Sequence, residues 1–233
     1  MSEKSKNKGT GDIASKRRKA VRVKTAFGRT VSSTRWLQRQ LNDPYVAEAK
    51  EQGYRSRAAF KIIQLDEKFN LLRKGQRVID LGAAPGGWSQ VVAKKMGPKG
   101  KLIALDIQEM EPLPDTTIIH MDFLAEEAPD KLKELMGGLA HLVLSDMAPP
   151  TMGHTRTDHL RIMDLAENAA LFAIEILEPK GAFVCKLFQG GAEKTLLDLL
   201  KKHFTKVRHA KPDSSRADSS ESYIVAQGFR KVS

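Results

Sequence analysis

Cysteine occurs once in the 233 residues, at position 185, so the chain has neither an intramolecular disulfide framework nor a Cys-rich zinc module. No apolar run approaches the ~18 residues of a membrane span. The first residues lack the apolar core of a secretory signal. His154 and His159 have no companion ligands nearby in sequence, so no metal site is expected. The Gly-Lys-Ser/Thr ending of a triphosphate loop is missing too. These absences predict a soluble intracellular protein that works without a metal. What is present suffices for one ordinary domain: hydrophobic residues make up 41% of the chain.

Lys and Arg number 39 against 28 Asp and Glu, and the excess is localised. Residues 1–40 hold 12 basic side chains and two acids, Glu3 and Asp12, whereas residues 41–200 carry a net −4. Residues 201–216 have six basic groups and one acid, Asp213. An arm and a patch of this kind suit a polyanion. A solubilising tail is the plainer alternative. A membrane surface suits the arm less, because it has no amphipathic apolar face. Residues 1–31 have too few large apolar groups to offset ordering and are expected to form a disordered basic arm, with the folded domain spanning 32–233. Lys dominates the arm early and acids are present, which favours a bacterial cytoplasmic protein over one with a mitochondrial presequence.

From Ser32 the texture changes. Ser32, Ser33 and Thr34 could cap a helix beginning at Arg35, and a second helix is expected over 56–69. Short β-branched runs follow at 77–81, 101–106, 117–120, 141–145, 182–188, 206–209 and 222–226. Helical stretches at 88–96, 128–136, 160–177 and 192–203 lie between them. Two prolines, Pro112 and Pro114, leave room for at most a short helix after the second run. This alternation predicts an α/β fold with a mostly parallel seven-stranded sheet and helices on both faces. The last two runs, joined by a polar loop, predict an antiparallel final strand in an edge hairpin.

The first strand runs into Asp80-Leu81-Gly82-Ala83-Ala84-Pro85-Gly86-Gly87-Trp88, at the end of the sheet where open parallel sheets bind ligands. Glycine lets the backbone approach a ligand, and a helix N-terminus follows. A dinucleotide would prefer a glycine at Ala84 and no stiffening at Pro85. S-adenosylmethionine fits better, because a carboxylate at Asp80 repels a phosphate but can face the ammonium of an amino-acid tail. Asp106 and Asp122 end the next two runs, placed to accept from ribose hydroxyls and from the adenine amino group. Any one of these acids could instead be a helix cap. All three beside the loop favour the methyl donor.

Four further residues look out of place. Lys186 interrupts an apolar strand, where a lysine is costly unless it ends at a site. Asp146 lies just past the end of the fourth run, Lys61 is on the early helix, and Glu221 precedes the last run. Spacing alone does not assemble these four.

The chain resembles the ribosomal RNA large-subunit methyltransferase E family, the FtsJ/RrmJ-type 2'-O-ribose methyltransferases. The resemblance runs from about Ser33 to Gly228. It is carried by Ser33-Thr34-Arg35-Trp36-Leu37, Tyr54-Arg55-Ser56-Arg57-Ala58-Ala59-Phe60-Lys61, the glycine loop with Ser89 and Gln90, Ser145-Asp146-Met147-Ala148-Pro149, Val184-Cys185-Lys186-Leu187-Phe188-Gln189-Gly190 and Lys211-Pro212-Asp213-Ser214-Ser215-Arg216. It implies a Rossmann-like methyltransferase fold. It also implies a catalytic tetrad at Lys61, Asp146, Lys186 and Glu221, and cofactor contacts at Gly86, Trp88, Asp106, Asp122 and Asp146. Asp80, Gly82, Ala84 and Pro85 join these contacts through the loop. The implied reaction is methylation of a uridine ribose in the A-loop of 23S rRNA on the 50S subunit; a monomer is expected, although no residue pattern specifies the oligomeric state. A tRNA or mRNA-cap ribose methyltransferase is the nearest alternative, and a non-catalytic assembly factor the alternative from another class.

In-line displacement at a sulfonium draws much of its rate from alignment. Lys186 is expected to act as base or to orient the hydroxyl, with Asp146 positioning it, Lys61 holding the neighbouring phosphate or ribose, and Glu221 orienting the lysines. RNA contacts are expected from the arm and from Arg35, Trp36, Arg55, Arg57, Lys211 and Arg216. Two features depart from the family pattern: the arm is long, and Ala217-Asp218-Ser219-Ser220 is acidic for an RNA-facing segment. Cys185, on the opposite strand face from Lys186, is expected in the core.

Overall fold

A computed structural model describes residues 13, 21–23, 30–149, 155–188 and 193–231; the side chains of 32, 36, 155, 156, 158 and 159 also lie outside the description. Most of the arm, His154, the side chains of Trp36 and His159, Gln189, Gly190 and the expected helix start at 192 therefore fall outside it.

The strands are β1 (Arg77–Leu81), β2 (Lys101–Asp106), β3 (Thr116–His120), β4 (Ala140–Ser145), β5 (Leu177–Phe188), β6 (Phe204–Ala210) and β7 (Glu221–Phe229). They form one sheet in the order β3-β2-β1-β4-β5-β7-β6. β7 is antiparallel to both neighbours and every other pairing is parallel. The helices are α1 (Val31–Asn42), α2 (Pro44–Glu51), α3 (Ala59–Phe69), α4 (Gly87–Met96), α5 (Ala128–Met136), α6 (Thr155–Ile176) and α7 (Lys194–His203). No helix intervenes between β2 and β3.

Several elements differ from the sequence expectation, and three of the differences have a local reason. Thr30 rather than Ser32–Thr34 caps α1: its hydroxyl accepts from Ser33 N–H, so the helix starts at Val31. The short α2 was not expected; Asp43 caps it by accepting from Tyr45 N–H, and Pro44 occupies its first position. β5 begins at Leu177, five residues early, because Leu177 pairs with Ala140 across a register shift that Lys180, at φ 69°, helps to accommodate.

Strand parity sorts the core into two layers. Ile79, Leu105, Val143, Phe183, Cys185, Leu187 and Ile224 face α5, α6 and α7. Val78, Leu144, Val184, Tyr223 and Val225 face α3 and α4. Cys185 is fully buried in the first layer, and burial pushes its thiol up to about 12. Parity then puts Lys186 on the other face, above α3. Asp146, Glu221 and Tyr223 belong to the same face, and all four sit at the carboxyl end of the parallel strands.

The described arm residues make contact with the domain. Ile13 is buried against Tyr45, Ala49 and Phe60, and Val21 and Val23 are hydrogen-bonded to α1. The described part of the arm is docked on the domain rather than free.

Candidate active site

Two ion pairs meet at the α3 face. Lys61 Nζ donates to Glu221 Oε2 at 2.7 Å. Lys186 Nζ lies 3.2 Å from Asp146 Oδ1 and also donates to the Asp146 carbonyl. Tyr223 joins the pairs: its hydroxyl donates to Asp146 Oδ1 at 2.8 Å, and Lys61 Nζ is 5.7 Å from its ring centroid. Ser215 extends the chain by donating to Glu221 Oε1 at 2.8 Å. The tetrad named from the sequence is thus brought together, with two members added. Tyr223 had a legible signal, since it is two residues beyond Glu221 and so shares its face. Ser215 had none, because it reaches the site across a loop.

Electrostatics within the cluster oppose burial. Desolvation alone would raise the Asp146 carboxyl, but the ammonium groups of Lys186 and Lys61 and the Tyr223 hydroxyl hold it below its ordinary value. Burial first, then Asp146 and Glu221, push the Tyr223 phenol well up, so it stays a donor.

Beside the pairs opens a cavity of about 440 Å³, lined by Gly82, Ala84, Asp106, Asp122, Phe123, Asp146, Met147 and Lys186 among others. Lys61 and Glu221 do not line it. Four carboxylates, Asp106, Asp122, Asp146 and Asp164, outnumber the cations Arg161 and Lys186, and with the apolar walls Leu105, Ile107 and Leu124 they suit a nucleoside bearing a cationic tail better than a phosphate chain. Asp106 accepts from Ala84 N–H and Gln108 N–H, both at 2.8 Å, fixing the loop and its own orientation. Asp122 accepts from Leu124 N–H at 3.0 Å. Gly82, at φ 75°, needs to be glycine: a Cβ there would stand 2.8 Å from the Met147 backbone. Gly86, at φ 102°, caps α4 without a side-chain hydrogen bond; the Ser89 N–H is directed at the Asp80 carboxylate, which leaves those of Gly87 and Trp88 to face a carboxylate.

The other loop residues are placed differently. Pro85 and Trp88 line a hollow of about 20 Å³ that shares Gly82, Ala84 and Asp146 with the cavity. The Trp88 indole is buried against Tyr223 and donates to Ala58 O at 2.9 Å. Asp80 is a correction. It lies wholly beneath the loop, outside the cavity wall, because its parity turns it towards α4, where Oδ2 accepts from Ser89 Oγ at 2.6 Å. Its Oδ1 has no hydrogen-bond partner. Burial, together with Asp146 and Asp106, raises the carboxyl to about 7 despite the Ser89 bond.

A stability prediction follows from Asp80. A carboxyl whose folded pKa exceeds its unfolded value near 3.8 makes the native state bind the extra proton, so stability falls as pH rises from about 4 to 7. Asp80→Asn keeps the acceptor for Ser89 and removes this loss, which is worth at most about 4 kcal/mol above pH 7. In cofactor-free thermal unfolding, the variant should gain on the parent between pH 5 and 7 and then plateau. A difference constant with pH would sink the assignment.

The expected RNA contacts divide. Arg35 is exposed on α1. The Arg55 guanidinium donates to Pro85 O, Glu111 O and Pro112 O, tying the glycine loop to the β2–β3 connection. Arg57 pairs with Asp43 at 2.7 Å and donates to Ser214 O, and Arg216 lies 3.6 Å from the same Asp43 oxygen. Lys211 donates to Ser219 O at 2.7 Å. Arg55, Arg57 and Lys211 are therefore each engaged by backbone carbonyls of their own chain, which tie neighbouring loops together. Among the described residues there is no group of three or more potential metal ligands, and no helix is long and apolar enough to cross a membrane.

A doubly wound sheet with a reversed final hairpin, carrying a ligand cavity at its carboxyl end, defines a Rossmann-like methyltransferase. The model of one family, FtsJ-like methyltransferase, matches residues 54–229. The chain belongs to that family, and is a methyltransferase. It is 62% identical to the ribosomal RNA large subunit methyltransferase E of Paramagnetospirillum magneticum, over 95% of this chain and 93% of that protein. Identity to the Xanthobacter autotrophicus protein of the same name is 59%, covering 90% and 84%. Among solved structures, a Plasmodium falciparum protein described as a ribosomal RNA methyltransferase superposes with a TM-score of 0.67 at 31% identity, covering 76% of this chain and 98% of that one.

Proposed function

We propose that this methyltransferase transfers a methyl group from S-adenosylmethionine to the 2'-oxygen of a uridine in the A-loop of 23S rRNA, acting on the large ribosomal subunit in the bacterial cytoplasm. The observation that carries the reading is the pairing of Lys186 with Asp146 in the wall of the carboxylate-lined cavity, backed by Lys61–Glu221. The cofactor supplies an electrophilic methyl on a sulfonium, and the residues of this chain do the rest. Asp106 and Asp122 would accept from the nucleoside's hydroxyl and amino groups, and the α4 N-terminus would take the tail carboxylate. Asp146 fixes Lys186 beside the reacting atoms. Lys186 would give up its ammonium proton to solvent, orient the ribose hydroxyl in line with the methyl–sulfur bond and receive the hydroxyl proton as the oxygen–carbon bond forms and the methyl–sulfur bond breaks, the sulfonium leaving as a neutral thioether. Lys61 stays behind, paired with Glu221, and contributes positive charge beside Asp146. The names of the relatives support ribosomal RNA as substrate.

The test is methyl transfer from labelled S-adenosylmethionine to purified 50S particles, naked 23S rRNA and bulk tRNA, followed by digestion to the modified nucleoside. Label on a uridine ribose in 50S particles is expected. Label on tRNA alone would replace the substrate while keeping the chemistry. Label on a base would overturn the ribose assignment.

A further inference from the structure

The arm meets the domain at two places. Ile13 is 6% exposed in a seat formed by Tyr45 and Ala49 of α2 and Phe60 of α3, and Phe60 adjoins Lys61. Eight residues on, Val21 is clasped by two amides. Its N–H donates to Asn42 Oδ1 at 2.8 Å, and its carbonyl accepts from Asn42 Nδ2 at 2.9 Å and from Gln38 Nε2. Val23 N–H donates to Gln38 Oε1 at 3.0 Å. Gln38 and Asn42 stand one helical turn apart and share a side of α1 with Arg35 and Arg39. The clasp therefore holds the backbone of the exposed Arg22 against the side of α1 that carries the exposed Arg35 and Arg39. Arg39 in turn lies 3.9 Å from Asp218, which ties that side of α1 to the acidic part of the β6–β7 loop.

Setting a third arginine beside two others costs like-charge repulsion, and a free tail would avoid it. The chain instead spends its one described apolar anchor in the arm, and both side-chain amides on that side of α1, to keep Arg22 there. A polyanion relieves the repulsion and benefits from the fixed spacing.

We infer that the docked arm and α1 form one phosphate-binding wall, with Arg22, Arg35 and Arg39 gripping the RNA backbone next to the nucleotide being methylated. This rests on the RNA reading above and adds the place where the backbone lies and what holds that place in shape. Ile13 and Val21–Val23 are the points at which the domain holds the described arm residues, and the cations gain affinity by being pre-positioned.

The test compares the full chain with Ile13→Asp, with the double variant Gln38→Ala/Asn42→Ala and with Arg22→Ala, measuring binding of a transcribed 23S rRNA fragment across a salt series. Both undocking variants retain every cation of the parent. The dissociation constant should nevertheless rise roughly three- to tenfold, and the slope of log affinity against log salt should flatten by about one, as for Arg22→Ala. S-adenosylmethionine affinity should be unchanged in all three. The double variant alters only the exposed side of α1, so it answers for Ile13→Asp should that chain fold poorly. Undocked variants that match the parent in affinity and slope would overturn the inference and leave the RNA reading standing. A parent chain that binds no RNA at low salt would overturn both.

Discussion

Lys186→Ala is expected to lower the rate of methyl transfer by about 10³-fold while cofactor affinity stays within roughly threefold of the parent. Of the four tetrad residues, only Lys186 and Asp146 line the cavity. Lys186 is therefore the cation of the tetrad that can touch the ribose oxygen, whereas Lys61 is committed to Glu221 at 2.7 Å. Removing Lys186 takes away both the group that aligns the hydroxyl and the acceptor of its proton. It leaves untouched the backbone groups and the two carboxylates, Asp106 and Asp122, that hold the nucleoside. Lys186→Arg should not rescue: a planar fork of fixed donors cannot take the proton and does not fit a seat 3.2 Å from Asp146. Single-turnover kinetics with saturating cofactor separate the two quantities. A Lys186→Ala enzyme that turns over at the parental rate, or one that loses cofactor in proportion to rate, would remove Lys186 from the reacting centre.

How far the site was visible in the sequence depends on the residue. Lys186 was conspicuous because an apolar strand does not accept a lysine without cause, and the parity that buries Cys185 sends Lys186 to the α3 face. The glycine loop, with Asp106 and Asp122 at strand ends, follows from strand–helix alternation alone. The meeting of Lys61 with Glu221, 160 residues apart, depends on how β7 inserts beside β5, in a register that pairs Lys186 with Tyr223. No local pattern contains that. Asp80 reads in sequence like its fellow acids, and only parity against α4 turns it away from the ligand. Arg55 and Arg57 look like surface cations in sequence, yet the carbonyls they serve lie 30 to 157 residues away. The arm misled for another reason. Composition averages over many residues, whereas the described contacts of the arm are made by a few, Ile13, Val21 and Val23.

The variant Asp146→Ala should fail differently from Lys186→Ala, and the difference tests the arrangement as a whole. Asp146 has three duties: it lines the cavity, pairs with Lys186 and accepts from Tyr223. Truncation should therefore raise the cofactor dissociation constant about tenfold, through loss of a carboxylate facing a cationic ligand, as well as lower the rate by about 10²- to 10³-fold. It should also destabilise the fold by about 3 kcal/mol, because a buried ammonium and a buried phenol each lose a partner. Asp146→Asn separates these effects. The amide oxygen still accepts from Tyr223, so most of the stability should return, but without the negative charge neither cofactor affinity nor rate should recover. In the double variant Asp146→Asn/Lys186→Met the buried cation is gone as well. Stability should then approach or exceed the parental value while turnover stays lost, as expected where a buried pair is kept for chemistry rather than for holding the fold. Equal cofactor affinity in the parent and Asp146→Ala would show that this carboxylate serves only Lys186. Full recovery of rate in Asp146→Asn would show that position alone, and not charge, is what Asp146 contributes.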